Sequence, residues 1–272
     1  MENILSNTVS QKLLRFSTSL LSALVWISSA LFGLYILAFY FKGLLSGNTT
    51  QWNEVLPGLY DTTTPNATYG IGLHFAAGGI ILILGSLQFI ETIRLKFPAI
   101  HRWSGRIYVF ASLLASLGGL IFILVKGTIG GLIMDVGFSG YGILMFLAAV
   151  QTIRFARKGE FETHRKWAIR LYALAIGSWL YRMDYGFWHA VTGLAGHGDN
   201  FSGPFDYFMD FFFYLPNLLV AELFIRRKKI ARSGLASVTV SILLLAIVAF
   251  IILATQVFWE HYWGDPILNF FK

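Results

Sequence analysis

The sequence has no cysteine among its 272 residues. That excludes a disulfide, a thiolate-held metal, an iron–sulfur cluster and a cysteine nucleophile, so any metal or heme must use histidine, methionine, tyrosine or carboxylate. Charge is also scarce: Asp, Glu, Lys and Arg together make up 13%, about half the roughly 25% of a soluble domain. With 56% of the residues apolar or aromatic, so little polar surface cannot cover the apolar volume in water. Disorder, a nucleic-acid-binding domain and an ordinary cytosolic enzyme are excluded together. The solvent for this chain is a lipid bilayer.

What is present divides into apolar windows long enough to cross a hydrocarbon core of about 30 Å, roughly 20 residues each at 1.5 Å rise. Seven are expected, near 18–41, 69–91, 105–126, 137–156, 168–190, 206–225 and 235–259. The fold class that follows is all-α: one polytopic transmembrane helix bundle, 1–272. The apolar run after Lys12 and Arg15 is too long for a signal peptide and reads as a retained anchor. Sorted by loop, 17 of the 21 Lys and Arg residues fall on the side that holds the N-terminus, leaving Lys42, Lys126, Arg182 and Lys272. This predicts an N-terminus inside and a C-terminus outside a bacterial plasma membrane, and it explains the pI near 9.6 without nucleic acid. The longest loop, 42–68, lies outside; no soluble catalytic domain is expected.

An internal repeat stands out. Gln88, Arg94, His101-Arg102-Trp103, Arg106 and Tyr108 are echoed by Gln151, Arg157, His164-Arg165-Lys166-Trp167, Arg170 and Tyr172. The interval from Gln to His is 13 residues in both, and the inserted Lys166 accounts for the later offset. Two helical hairpins, 69–126 and 137–190, are expected as parallel repeats, with spans 18–41, 206–225 and 235–259 around them. Each His-Arg pair opens a helix at the cytoplasmic side, where free N–H groups favour an anion. His101, Arg102, Arg106, His164, Arg165 and Arg170 are therefore the expected anion or headgroup contacts; lipid anchoring by interfacial arginine and tryptophan is the plainer reading.

Polar groups at membrane depth are functional suspects, because each costs several kcal/mol unless paired. Arg182, Tyr185 and His189 share one helical face, being three and four residues apart. Asp206 and Asp210 lie one turn apart in the same leaflet, and Asp210 is the expected ion-pair partner of Arg182, ahead of Asp184. His74 sits among Gly72, Ala76, Ala77, Gly78 and Gly79, small residues that admit a neighbouring helix or a flat ring. His197 and His261 read as solvated.

A b-type heme needs two imidazoles on different helices at equal depth. His74 and His189 are the expected iron ligands, with Arg182, Tyr185 and Asp210 completing an outer cofactor site that suits a quinone equally well. The function expected is a small redox module binding heme b or quinone. The alternatives are a non-catalytic accessory subunit of a larger membrane complex, with partner subunits, and a proton-coupled carrier. A retinal protein is excluded because span seven has no Lys for a Schiff base, and a zinc hydrolase because HExxH is missing.

The motifs HxxxGG (His74 to Gly79), LQF (Leu87 to Phe89), HRWSGRIY (101 to 108) and THRKWAIRLYAL (163 to 174) resemble a family of bacterial multi-pass membrane proteins known as a domain of unknown function. The resemblance covers about residues 70–190. It implies the topology and carries no activity or residue roles.

Overall fold

A computed structural model describes residues 2–226 and 234–270, and among these every regular element is helical. Helix α1 (Glu2–Ile36) continues through a π-helical turn, Leu37–Phe41. Helices α2 (Pro65–Leu84) and α3 (Pro98–Lys126) form the first hairpin; α4 (Gly131–Arg157) and α5 (Phe161–Ala175) form the second. Then follow α6 (Gly177–Thr192), α7 (Pro204–Phe212), α8 (Leu215–Arg226) and α9 (Gly234–Phe258).

Six helices among the described residues are long and apolar enough to cross a membrane: Val9–Leu45, Pro65–Phe89, Pro98–Lys126, Gly131–Arg157, Pro204–Arg226 and Ser237–Phe270. The fifth expected span, 168–190, falls on a broken helix. The break is at Ile176 between α5 and α6, and Arg182 and Asp184 deprive α6 of a continuous apolar window. Next to the break, the Leu174 carbonyl accepts the Tyr141 hydroxyl at 2.9 Å. Of the basic residues used for orientation, those at 227, 228, 229, 232 and 272 lie outside the described residues.

The helices pack in a ring. Helix α1 lies between α9 and α2, α2 pairs with α3, α3 with α4 and α4 with α5, and α6 returns to α9 while α7 and α8 line the flank of α4 and α5. Lipid tails are as apolar as leucine, so helices associate through close backbone approach and hydrogen bonds rather than through exclusion of water. The glycines do this here. A methyl group added at Gly118 would lie 2.4 Å from the Gly70 carbonyl oxygen, and one at Gly33 would lie 2.9 Å from the Gly79 oxygen.

The loop 46–64 is built onto this frame by two donors. The Gln51 amide and the Trp52 indole donate to the Phe39 and Tyr40 carbonyls at 2.7 and 3.1 Å, carbonyls in the π-helical turn, where the ordinary ladder is disturbed. Trp52 is buried as a result. Lys126, at the end of α3, holds the loop from the other side through Asp61 at 2.7 Å.

Candidate functional site

The expected outer residues do not come together as one cofactor cradle. His74 lies in the contact between α2 and α3, where its Nδ1 is 2.7 Å from the Ala115 carbonyl oxygen. A methyl group on Gly119 would lie 3.0 Å from that ring nitrogen. Of the small residues expected to admit a flat ring, Gly72 faces the Trp52 ring and Gly79 the Gly33 backbone of α1, while a methyl group on Gly78 would meet nothing within 4 Å. His189 is exposed near the end of α6. No group of three or more histidines and carboxylates with metal-site geometry occurs among the described residues.

Arg182 also departs from expectation. Its guanidinium lies 4.5 Å over the Phe32 ring and donates to the Ser178 carbonyl at 2.9 Å. It makes no ion pair among the described residues, so neither Asp210 nor Asp184 is its partner. A cation on an aromatic face, with a backbone acceptor one turn back, replaces a carboxylate. His74, Tyr35, Tyr40, Tyr141 and Tyr181 all lie within its electrostatic reach.

The two aspartates of α7 divide into opposite roles. Asp206 accepts four hydrogen bonds: from the Tyr185 hydroxyl at 2.5 Å, from His197 Nδ1 at 2.7 Å, and from the Gly198 and Gly203 N–H groups at 2.9 and 2.8 Å. That satisfies the carboxylate, caps the helix start and closes loop 193–203 over this end of the bundle. His197 was thus misjudged as merely solvated. The available signal was its place nine residues before Asp206 in a glycine-rich turn, which brings the ring back onto the helix start.

Asp210, one turn deeper, has both carboxyl oxygens buried without a hydrogen-bond partner. It sits where α4 and α7 touch: a methyl group on Gly137 would lie 2.5 Å from the Asp210 carbonyl oxygen. Tyr181 lies within electrostatic reach of Asp210 and donates to the Tyr185 hydroxyl at 3.2 Å. The arrangement is a hydroxyl chain, Tyr181 to Tyr185 to Asp206, ending at His197, beside one unpartnered carboxyl group. Its walls are aromatic: Phe138 and Phe213 pack on Tyr181 at 5.4 and 5.3 Å, and Phe201 and Phe205 on Tyr185 at 5.6 and 5.0 Å.

At the opposite end of the bundle the repeat motifs reproduce one contact. Arg106 lies 4.9 Å over Trp103 and Arg170 4.7 Å over Trp167. Arg170 is in addition bound by Glu222, which also meets Arg226 at 3.6 Å. Its expected anion is therefore a side chain of α8. Arg102, Arg106 and Arg165 are exposed. His101 and His164 are each the fourth residue of their helix and lie within electrostatic reach of one another.

A family described as predicted membrane protein (DUF2306), of unknown function, matches residues 71–225. The chain belongs to this family. Comparison with curated proteins and with solved structures yields no match.

Proposed function

We propose that this member of the DUF2306 family is a small integral-membrane redox module that exchanges protons with a quinone in the outer half of its bundle, Asp210 being the exchanging group. The observation that supports this is the Asp210 carboxyl group, with both oxygens enclosed and unpartnered beside a tyrosine chain that leads to the outer surface. The charged form of a carboxyl group at that depth needs a partner that its neutral form does not. Such a group therefore gains a proton readily and gives it up to an acceptor that approaches. Reduction of a quinone to its quinol consumes two electrons and two protons, so it calls for a proton donor at membrane depth and aromatic walls. The electrons come, on this reading, from a redox-active partner subunit.

Heme is the less favoured cofactor, because His74 is bonded to Ala115 and His189 is exposed. We also propose a bacterial plasma-membrane location with the N-terminus inside and the C-terminus outside, on the 17-to-4 distribution of Lys and Arg.

The test is binding of a short-chain ubiquinone to purified protein in nanodiscs, read by quenching of tryptophan fluorescence alongside a reduced-minus-oxidised absorption spectrum. The parent should bind, and Asp210→Leu, which removes the donor, should weaken binding about tenfold, as loss of one buried hydrogen bond of about 1.4 kcal/mol implies. A heme band that needs His74 and His189 would restore the heme reading. Proton uptake without quinone binding would favour a proton-coupled carrier, and a colourless protein with none of these properties would favour an accessory subunit.

A further inference from the structure

Three pairs of residues related by the repeat show the same asymmetry: one member is hydrogen-bonded, while its counterpart is buried without a partner. His164 Nδ1 lies 2.9 Å from the Thr152 carbonyl oxygen, whereas His101 Nδ1 has no partner. The Tyr172 hydroxyl lies 2.8 Å from Ser86 Oγ, whereas the Tyr108 hydroxyl has none. Gln88 donates to Ser104 Oγ at 2.8 Å, whereas Gln151 Oε1 has none. The sequence supplies the cause for Tyr108: the position matching Ser86 is Ala149, so the second unit lacks the hydroxyl that Tyr172 meets in the first. At Ala168, which matches Ser104, the second unit lacks the acceptor of the Gln88 amide N–H, whereas the unpartnered atom of Gln151 is its carbonyl oxygen.

Buried polar groups are almost always satisfied by protein or by bound water. Here the unsatisfied groups are also ordered in depth. His164 reaches the carbonyl of Thr152, the residue after Gln151, so Gln151 lies level with the two histidines. Tyr108 is two turns further along α3, about 10 Å deeper at 1.5 Å per residue. There its ring meets Gly85 together with Tyr172, and Tyr141 lies within electrostatic reach. The rings of Tyr141 and Tyr181 then pack on the same Phe213, at 5.0 and 5.3 Å. Beyond Tyr181 are Asp210, Tyr185 and Asp206.

We infer that the inner ends of the two repeat units hold a hydrated proton inlet, formed by His101, Gln151 and Tyr108, which serves Asp210 from the face opposite to His197. The inlet rests on the proton exchange proposed above for Asp210. Each hop breaks one O–H or N–H bond and forms another, so a proton moves and nothing is oxidised or reduced. The cations beside His101 are Arg94 and Arg102; they repel a hydrated proton, so water at the neutral Gln151 and Tyr108 carries it past them. Asp210 itself is faced by Tyr181 from α6, by Asp206 from its own helix and by Gly137 from α4.

The test uses the full chain in sealed phosphatidylglycerol vesicles of known orientation. The carboxyl stretching band of Asp210, identified by its loss in Asp210→Asn, is followed by infrared difference spectroscopy after a pH jump on either face. The parent band should respond to both faces. Tyr108→Phe and Gln151→Leu should slow the inner-face response at least tenfold and leave the outer one intact, and Ala149→Ser, which gives Tyr108 a partner, should slow it as well. A parent band that responds only to the outer face overturns the inlet and leaves proton exchange at Asp210 standing. A band that responds to neither face overturns proton exchange and the inlet with it.

Discussion

The Tyr172 hydroxyl lies 2.8 Å from Ser86 Oγ, joining the second repeat unit to the first across 86 positions of sequence. The sequence position that corresponds to Ser86 in the second unit is Ala149, which has no hydroxyl, and the Tyr108 hydroxyl is unpartnered. Restoring it by Ala149→Ser is expected to raise stability by about 1 kcal/mol, the net value of one buried hydrogen bond, and Tyr172→Phe to lower it by a similar amount. Thermal unfolding of the purified protein, followed by tryptophan fluorescence, measures both. Destabilisation by Ala149→Ser would mean that the two tyrosines are not equivalent in environment.

Arg182 depends on the Phe32 ring and the Ser178 carbonyl rather than on a carboxylate. Phe32→Leu is therefore expected to cost about 1–3 kcal/mol from the lost cation–π contact and core volume. Asp210→Asn, which exchanges one buried unpartnered polar group for another of the same shape, is expected to cost less than Phe32→Leu. The opposite order in the same unfolding assay would show that Asp210 balances Arg182 after all.

Glycines on α2 and α3 are not equivalent. Gly118→Ala forces a methyl group to 2.4 Å from a backbone oxygen, whereas a methyl group on Gly78 meets nothing within 4 Å. The first substitution should cost about 1–3 kcal/mol or more by overpacking. The second should be neutral or mildly stabilising through helix propensity. Recovery of monodisperse protein on size exclusion separates the two.

The loop 46–64 carries a pH dependence of defined sign. The Lys126 ammonium beside Asp61, with the Thr63 hydroxyl and N–H, holds the Asp61 carboxyl well below the usual carboxylate range. A depressed carboxylate contributes its stabilisation in full above the unfolded value of about 3.9 and loses it as the pH falls toward the folded value. Amide hydrogen exchange in 59–64 should be flat from about pH 7 to about pH 5, after correction for intrinsic rates, and rise only below about pH 4. In Asp61→Asn it should already be fast at neutral pH. A loop that loosens in the parent near pH 6 would point to another group.

Orientation is tested by a reporter that is active only in the cytoplasm. Fused after Lys272 it should be silent, and fused within 158–160 it should be active; the reverse pair would invert the topology drawn from the basic residues.

Much of the fold was legible because a bilayer leaves the chain few choices. Apolar length and basic loops mark the spans, and the His-Arg-Trp-Arg-Tyr order marks the two hairpins, whose Trp103–Arg106 and Trp167–Arg170 contacts are local, three residues apart. The break at Ile176 was not legible, since helix and broken helix share the same apolar pattern.

Composition and periodicity settled the solvent and the helical class, because these follow from the transfer of single side chains into lipid. Partnership was decided only by the tertiary structure. Equal depth made Asp210 look like the mate of Arg182 and His189 that of His74, but depth is one coordinate out of three. The direction a side chain takes around its helix, and which glycine pairs bring backbones together, set Arg182 on Phe32, His74 on Ala115 and His197 on Asp206. They also left Asp210, alone among the charged groups of the outer half, enclosed with neither carboxyl oxygen hydrogen-bonded among the described residues.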